Sequence, residues 1–339
     1  ELCIMDYQKL PKVELHLHLD CSLSFDVVKK INPAITYEEY HDSFVAPPKC
    51  TDLLDYISRS VKGFELMQTK EQLRMVTLDL FEQLKTDNVI YAEIRFAPLL
   101  HIAKGLTPLE VVQTVADAAE EGIRNTGVQA GIIVCTLRNY SEAQSVETVK
   151  LAEQFKGTVV CGFDIAGDEA GFPVDAHIKA FEYANTNGIK CTSHAGEARG
   201  ADSVWEVLKG FHPSRIGHGV RSAEDDKLLS FLKEKDIHLE VCPTSNIQTN
   251  VYDTIHDHTA DKIYNTGVSM SVNTDSRTIT PTTLTKEYEV LEQTFGWDKA
   301  HFYKCNLEAV RHCFATAEVK ATIKEKIISA WEQDFNHSI

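Results

Sequence analysis

The sequence has few basic residues for its length. Only 34 of its 339 residues are Lys or Arg, against 50 Asp and Glu, which gives a formal net charge of −16 at pH 7. Proteins that hold nucleic acid electrostatically use Lys and Arg to displace phosphate counterions, and anionic membrane surfaces attract the same residues. The charge therefore argues against a nucleic-acid polymer or a membrane as a partner.

Long apolar runs and paired cysteine motifs are also missing. No apolar stretch approaches the roughly 18 residues of a membrane-spanning helix. The nine cysteines are an odd number, and no two have the C-x-x-C spacing of zinc knuckles or redox motifs. The opening run Glu1–Met5 lacks the basic and apolar regions of a secretory signal peptide. We expect reduced cysteines and a cytoplasmic location.

The composition is that of an ordinary folded protein, with 43% apolar and 25% charged residues. The length allows two domains, but α/β barrels often occupy about 250 residues or more as one domain. The chain shows no linker and no low-complexity segment. We expect residues 1–339 to form a single barrel domain.

Short apolar or β-branched runs alternate with helical segments along the chain. Eight runs are predicted strands: Val13–Leu19, Val89–Phe96, Val128–Cys135, Val159–Ile165, Ile189–His194, Arg215–Gly217, Ile237–Cys242 and Val268–Thr274. The predicted helices between them include Pro108–Asn125, Ala143–Phe155, Ala176–Asn187, Ser203–Gly210 and Ala223–Lys235. Strands that alternate with helices imply parallel βαβ units. Eight such units predict a (β/α)₈ barrel of the α/β class.

Two segments do not fit the simple alternation. Phe25–Asp87 is too long for one crossover and is predicted to form extra helices inserted after strand 1. They would cover the rim where barrel active sites form. The tail after Pro281 is predicted to be helical and to pack outside the barrel.

The run Val13–Asp20 alternates apolar and polar residues. Strict alternation in a strand places Glu14, His16, His18 and Asp20 on one face, pointing into the barrel. His16 and His18 can then converge on one metal ion, because neutral imidazole is a common zinc ligand.

The same H-x-H spacing occurs at His256 and His258, outside any predicted strand. An isolated H-x-H is weak evidence for a metal site. We interpret the second pair as solvated surface residues.

Three other strand ends carry residues suited to metal binding or proton transfer. His194 opens His194-Ala-Gly-Glu197 after strand 5, His218 follows strand 6, and Asp275 follows strand 8. The carboxyl ends of barrel strands meet at the catalytic face. We expect these residues to lie near the first histidine pair.

Three imidazole nitrogens and one carboxylate oxygen would leave a position for water on a catalytic zinc; the predicted ligands are His16, His18, His194 and Asp275. Such a metal lowers the pKa of water towards about 7. Glu197 would exchange protons with the substrate, and His218 would hold or deprotonate the water. The set indicates hydrolytic attack on an sp² carbon.

A two-metal hydrolase usually needs a bridging carboxylate or a modified Lys at the end of strand 4. The chain has Asp164-Ile-Ala-Gly167 at that point and no Lys. We therefore expect one metal ion per chain.

The chain resembles the adenosine deaminase family of the amidohydrolase superfamily over nearly its whole length. The matching motifs, in order, are Pro11-Lys-Val-Glu-Leu-His-Leu-His-Leu-Asp20, Asp164-Ile-Ala-Gly-Asp-Glu169, His194-Ala-Gly-Glu197, Gly217-His-Gly219, Cys242-Pro-Thr-Ser-Asn246 and Asn273-Thr-Asp275. The resemblance implies a zinc-dependent barrel enzyme of purine salvage. Such an enzyme converts adenosine and 2′-deoxyadenosine to inosine and 2′-deoxyinosine plus ammonia.

The resemblance also implies a role for individual residues. Glu197 would protonate purine N1, and His218 would steer the attacking hydroxide onto C6. Asp20 would meet the ribose 5′-hydroxyl, with His18 also at the substrate, and the backbone of Gly167 would donate to purine N3. A purine nucleoside would be the small-molecule partner; the oligomeric state stays open, and a monomer is compatible with the sequence.

Two positions depart from the family pattern. Many members have a second Asp after the metal-binding one, where it contacts purine N7, and this chain has Ser276. Serine can donate or accept a hydrogen bond but brings no charge. The residue after Asp20, often Gly in the family, is Cys21.

Other functions compete with this one. A sister enzyme could act on adenine, an N6-methylated nucleotide or aminofutalosine, although Asp20 favours a nucleoside with a free 5′-hydroxyl. A silent barrel that only binds its ligand would be expected to lack Glu197 or a zinc ligand. The unrelated cytidine-deaminase site needs H-x-E with P-C-x-x-C, which this chain does not have.

Overall fold

A computed structural model describes residues 6–337, and all eight predicted strands are present. They are β1 (Lys12–His18), β2 (Val89–Phe96), β3 (Gln129–Leu137), β4 (Val160–Ala166), β5 (Thr192–Ala195), β6 (Arg215–His218), β7 (His238–Val241) and β8 (Met270–Val272). Strands β1 to β4 form one parallel sheet and β5 to β8 another. Bridges from Leu17 to Asp275 and from Phe163 to Cys191 join the two sheets at both seams. The (β/α)₈ barrel is confirmed.

Fifteen α-helices connect and surround the strands within residues 6–337. They are α1 (Phe25–Ile31), α2 (Tyr37–Phe44), α3 (Leu53–Ser58), α4 (Ser60–Glu65), α5 (Lys70–Thr86), α6 (Pro108–Thr126), α7 (Glu142–Gln154), α8 (Ile178–Thr186), α9 (Ala201–Phe211), α10 (Asp226–Glu234), α11 (Pro243–Gln248), α12 (Ala260–Thr266), α13 (Leu284–Phe295), α14 (Lys299–His312) and α15 (Ala317–His337). None of these helices combines the length and apolar character needed to cross a membrane.

The five predicted helices correspond to α6 to α10, and capping residues set their ends. Helix α6 ends at Thr126 and is C-capped by Gly127, whose φ of +78° is the left-handed conformation that glycine adopts without strain. Helix α10 begins three residues later than predicted. Its N-cap is Asp225, whose side chain accepts the backbone N–H of Lys227.

The segment between β1 and β2 contains five helices. Helix α5 packs against β2 and α6, as the helix of a barrel βα unit does. The additional helices are therefore α1 to α4. Helices α3 and α4 contribute Leu53, Tyr56, Val61 and Phe64 to the pocket at the carboxyl end of the strands.

The chain after Pro281 forms α13, α14 and α15, which confirms the helical tail. Helix α14 packs against β1 and β8, and α15 packs on α14. The indole of Trp331 in α15 donates to the carbonyl of Pro11, 2.9 Å away. The tail is thereby fastened to the start of β1.

Strand β1 does not alternate regularly from Glu14 onward, and the prediction that Glu14 points into the barrel is wrong. The register of β1 against β2 shifts between Glu14 and Leu17. The Glu14 carboxylate accepts from the Thr274 backbone N–H and from Arg277, both beyond β8. Asp20 lies in the 3₁₀ turn Leu19–Cys21 that follows the strand.

Candidate active site

A cavity of about 510 Å³ opens at the carboxyl ends of the strands. It is lined by eight of the predicted site residues: His18, Asp20, Gly167, His194, Glu197, His218, Asp275 and Ser276. The ninth, His16, is fully buried, and its ring centre lies 4.5 Å from that of His194 and 4.6 Å from that of His218. The structure therefore brings all nine residues to one place.

The four predicted metal ligands form one compact group. The Nε2 atoms of His18 and His194 are 3.2 Å apart. The Oδ1 atom of Asp275 lies 3.2 Å from Nε2 of His16 and 3.4 Å from Nε2 of His18. One ligand atom from each residue lies within 4.8 Å of every other. A single ion placed among them can be reached by all four.

Two buried carboxylates orient these histidines. Nδ1 of His16 lies 2.8 Å from Glu240, and Nδ1 of His194 lies 2.9 Å from Asp164. An ionised carboxylate only accepts, so each Nδ1 carries the hydrogen and each Nε2 keeps its lone pair. Nε2 of His16 is buried without a hydrogen-bond partner. An orphaned nitrogen of this kind is suited to a metal ion.

Electrostatics supports metal binding in the same group. Burial lowers the pKa of His18 to about 3, so its imidazole is neutral at neutral pH. Burial opposes ionisation of Asp275, but the close approach of the His16, His218 and His18 rings outweighs it and holds the pKa of Asp275 well below its usual range. The neutral imidazole of His18 and the ionised carboxylate of Asp275 are ligands that fit a divalent cation.

A second possible ligand set shares two of these residues and adds His218 and Cys242. Burial and the neighbouring Asp275 raise the pKa of the Cys242 thiol well above its usual value, so it stays protonated. A protonated thiol is a poor metal ligand. The three-histidine set with Asp275 fits a metal better.

Glu197 and His218 face each other beside the ligand group. Oε2 of Glu197 lies 3.4 Å from Nε2 of His218. Glu197 is 96% buried, with 4% of its surface exposed. Burial and the negative charges of Asp275 and Glu169 raise the pKa of Glu197 well above its usual value. Glu197 can therefore hold a proton at neutral pH and release it to a ligand.

Glu169 holds the loop that carries Glu197, a role not recognised in the sequence. Its carboxylate lies 2.7 Å from the backbone nitrogen of Gly196 and 3.0 Å from that of Glu197. It also accepts from the backbone of Ala198 and Arg199 and from the Ser203 hydroxyl. Its place in the Asp164–Glu169 motif was the only available signal.

Two catalytic-face residues have strained backbones. His218 has a φ of +62° and Asp275 a φ of +67°, in the left-handed region that residues with a Cβ rarely adopt. Such strain persists only where the surroundings impose it, and it concentrates at functional sites. Gly167, with a φ of +97°, occupies the same region without that cost and lines the pocket.

The side of the pocket near Asp20 contains both departures from the family pattern. The Cys21 sulfur lies 3.7 Å from Oδ1 of Asp20. The Ser276 hydroxyl is buried and accepts the backbone N–H of Thr280, 2.9 Å away. The Tyr56 hydroxyl, from α3, lies 2.6 Å from that of Thr280. Neutral hydroxyls and a thiol form this wall.

The interpretation of the second H-x-H pair as surface residues is wrong for one member. His256 is exposed, but only 3% of the surface of His258 is accessible. Nε2 of His258 lies 3.1 Å from Oδ1 of Asn246, and Nδ2 of Asn246 lies 3.1 Å from Nδ1 of His218. His258 is thus connected to the pocket through Asn246.

A family model described as adenosine deaminase matches residues 11–330. The chain belongs to the adenosine deaminase family. Adenosine deaminase of Clostridium acetobutylicum is 34% identical over 325 residues, which cover 94% of this chain and 97% of that protein. The family resemblance in the sequence is confirmed, and the chain is a hydrolase of the deaminase type.

Solved structures agree on the fold. Adenine deaminase from Arthrobacter aurescens has a TM-score of 0.87 and 24% identity, covering 96% of this chain and 99% of that one. An amidohydrolase from Burkholderia ambifaria, solved with bound zinc, has a TM-score of 0.87 and 21% identity, covering 98% and 92%. The chain therefore shares the barrel fold of these two proteins, and its pocket contains a group of residues suited to a metal.

Proposed function

We propose that the chain is a zinc-dependent enzyme that deaminates adenosine and 2′-deoxyadenosine to inosine and 2′-deoxyinosine plus ammonia. The observation that carries the proposal is the position of Glu197. This buried carboxyl group, with its raised pKa, lies 3.4 Å from His218 beside a four-ligand metal group. A proton donor, an imidazole and a metal at one pocket suit the addition of water to a purine carbon.

One zinc ion would be held by His16, His18, His194 and Asp275. When bound, zinc supplies a water molecule whose pKa is lowered towards about 7. Glu240 and Asp164 keep the Nε2 lone pairs of His16 and His194 free for that ion. The Zn-containing relative supports the choice of ion.

Glu197 and His218 would perform the proton chemistry. Glu197 gives its proton to purine N1, which makes C6 electrophilic and prevents negative charge from building up on the ring. His218 orients the water that attacks C6. Glu197 then takes one proton from the water and passes it to the exocyclic amine, which leaves as ammonia. The second proton of the water returns to Glu197 as C6 becomes a carbonyl. The carboxyl group ends the cycle protonated, as it began.

The nucleoside would be bound by three parts of the pocket. Asp20 accepts from the ribose 5′-hydroxyl, with His18 beside it, and the backbone N–H of Gly167 donates to purine N3. Ser276 would offer a neutral hydroxyl towards N7. Because Gly167 has no Cβ and a φ of +97°, its backbone can approach a flat base closely.

The chief alternative is a substrate other than a nucleoside. Adenine is one candidate, since a structural neighbour is an adenine deaminase. A nucleotide such as N6-methyl-AMP would need basic groups for its phosphate. Among the described residues that line the pocket, none is Lys or Arg. This pocket chemistry favours a nucleoside over a nucleotide.

In this proposal the whole chain works as one catalytic domain, and helices α1 to α4 cover its rim. The test is a deamination assay with adenosine, 2′-deoxyadenosine, adenine, AMP, N6-methyl-AMP and aminofutalosine, together with metal analysis. We expect turnover of the first two and close to one zinc per chain. If only one of the other compounds were turned over, the substrate assignment would be overturned. If none were turned over, the result would favour a catalytically silent barrel that only binds its ligand.

A further inference from the structure

His258 is buried in a polar contact chain that leads to the active site. Its Nδ1 atom lies 3.0 Å from the backbone nitrogen of Ala260, and its Nε2 atom lies 3.1 Å from Oδ1 of Asn246. A backbone N–H can only donate, so Nδ1 of His258 must be the acceptor. In a neutral imidazole the single hydrogen is then on Nε2, which donates to Asn246.

The contact between Asn246 and His218 has only one compatible direction. With Oδ1 accepting from His258, the amide turns its NH₂ group towards Nδ1 of His218, 3.1 Å away. The NH₂ group of Asn246 can only donate a hydrogen bond, so Nδ1 of His218 is the acceptor. A flipped amide would place its NH₂ group against the Nε2–H of His258. The backbone N–H of Ala260 therefore sets the direction of both hydrogen bonds.

The protonation state of His258 agrees with this direction. Burial lowers the pKa of His258 to about 3, so the ring is neutral at neutral pH. A second hydrogen, on Nδ1, would also point at the Ala260 N–H.

We propose that His258 is a positioning residue that, through Asn246, holds His218 in its Nε2–H form. His218 then donates a hydrogen bond to the attacking water and does not take its proton. The inference rests on the proposed function and specifies the part of His218 in it. The proton that the water loses goes to Glu197, which has already given its own proton to the ring, so the proton count balances.

Nuclear magnetic resonance tests the tautomer without any change in the sequence. Long-range ¹H–¹⁵N correlations would be recorded on the zinc-loaded chain with ¹⁵N-labelled histidine, and signals assigned from His218→Gln and His258→Asn spectra. We expect the Nε2–H pattern for both residues. An Nδ1–H pattern for His218 would overturn the proposal, whether or not adenosine is the substrate.

Kinetics of matched variants tests the consequence. His258→Asn places an amide near Nδ1, where it can still accept from Ala260, but it does not reach Asn246. His258→Gln places an N–H near Nε2, and His256→Asn changes the exposed histidine of the same motif. Loss of an orienting partner of a catalytic imidazole is expected to lower kcat about 10- to 100-fold, by analogy with histidine orientation at metal sites.

The expected pattern is a lower kcat for His258→Asn with KM, zinc content and Tm close to those of the wild type. His258→Gln should recover part of kcat, and His256→Asn should match the wild type. If His258→Asn matched His256→Asn, or if Asn and Gln lost equal activity, the proposal would be overturned. A wild-type chain inactive on adenosine would instead refute the proposed function and leave the NMR result standing.

Discussion

Glu197 lies with its Oε2 atom 3.4 Å from Nε2 of His218, at the base of the pocket. One group is a carboxyl whose pKa is raised well above its usual value, and the other is an imidazole whose pKa is lowered well below it, chiefly by burial. Both shifts favour the neutral form of the side chain. Glu197 can therefore serve as a proton donor beside the hydrogen-bonding imidazole of His218. The two groups do not form an ion pair, which would have transferred the Glu197 proton to His218.

Glu197→Gln should abolish most catalysis and leave the metal in place. The amide preserves the shape of the side chain but has no proton to give, and general acid catalysis contributes about 10²- to 10⁴-fold. We expect kcat to fall by that factor with zinc content unchanged, measured by a deamination assay and elemental analysis. A nearly active variant would remove Glu197 from the mechanism.

Glu169→Gln should shift the pH profile. The charge of Glu169 helps to raise the pKa of Glu197, so its removal lowers that pKa. Because the protonated form of Glu197 is active, the loss of kcat at high pH should begin at a lower pH. The variant should also have a lower kcat, because an amide at position 169 has one carboxylate oxygen fewer to accept the backbone N–H groups of the loop at 196–199.

The control for this experiment is Glu182→Gln, which removes an exposed carboxylate from α8. This substitution changes the net charge by the same amount and should leave the pH dependence of kcat unchanged. A high-pH limb that stays unmoved in Glu169→Gln would contradict the charge coupling.

Removal of the metal should abolish activity and lower Tm. A ligand that binds only the folded chain stabilises it by mass action, by about 4 kcal/mol when zinc exceeds its Kd about 1,000-fold. Chelation followed by dialysis should therefore give an inactive protein with a lower Tm, and added zinc should restore both. Full activity in a protein shown to be metal-free would refute the zinc assignment.

Asp20→Ala should lower kcat/KM for adenosine more than kcat/KM for adenine. A hydrogen bond to a charged group contributes about 1.5–3 kcal/mol, or roughly a 10- to 100-fold change in kcat/KM. Adenosine has a 5′-hydroxyl that would lose this bond, whereas adenine and 5′-deoxyadenosine have none. The measurement is kcat/KM for adenosine, 5′-deoxyadenosine and adenine in the variant and in the wild type. Equal losses for the two nucleosides would show that Asp20 does not bind the 5′-hydroxyl.

Local patterns predicted the barrel well. The strands lie in or beside short runs rich in apolar or β-branched residues, and the helices between them begin and end at capping residues such as Asp225 and Gly127. Parallel strands place their carboxyl ends at one edge, so strand-end residues such as His194 and Asp275 could be expected at one site. The alternation in β1 failed because a register shift turns Glu14 towards Arg277.

Residues that act through contacts distant in the sequence could not be found this way. Glu169 lies 28 positions before Glu197, and Glu240 contacts His16 across 224 positions. His258 forms an H-x-H motif with the exposed His256, and only packing shows that His258 is buried against Asn246. A carboxylate or imidazole has the same local pattern whether it is solvated or holds a catalytic loop.

The family, the barrel and the residues at the catalytic face could be predicted from the sequence, because they depend on periodicity and on short motifs at strand ends. The tertiary structure alone decided which groups orient them and which are protonated. Hydrogen-bond direction and pKa depend on burial and on neighbours brought together by folding. Glu197 keeps its proton, and His258 faces Asn246, for that reason.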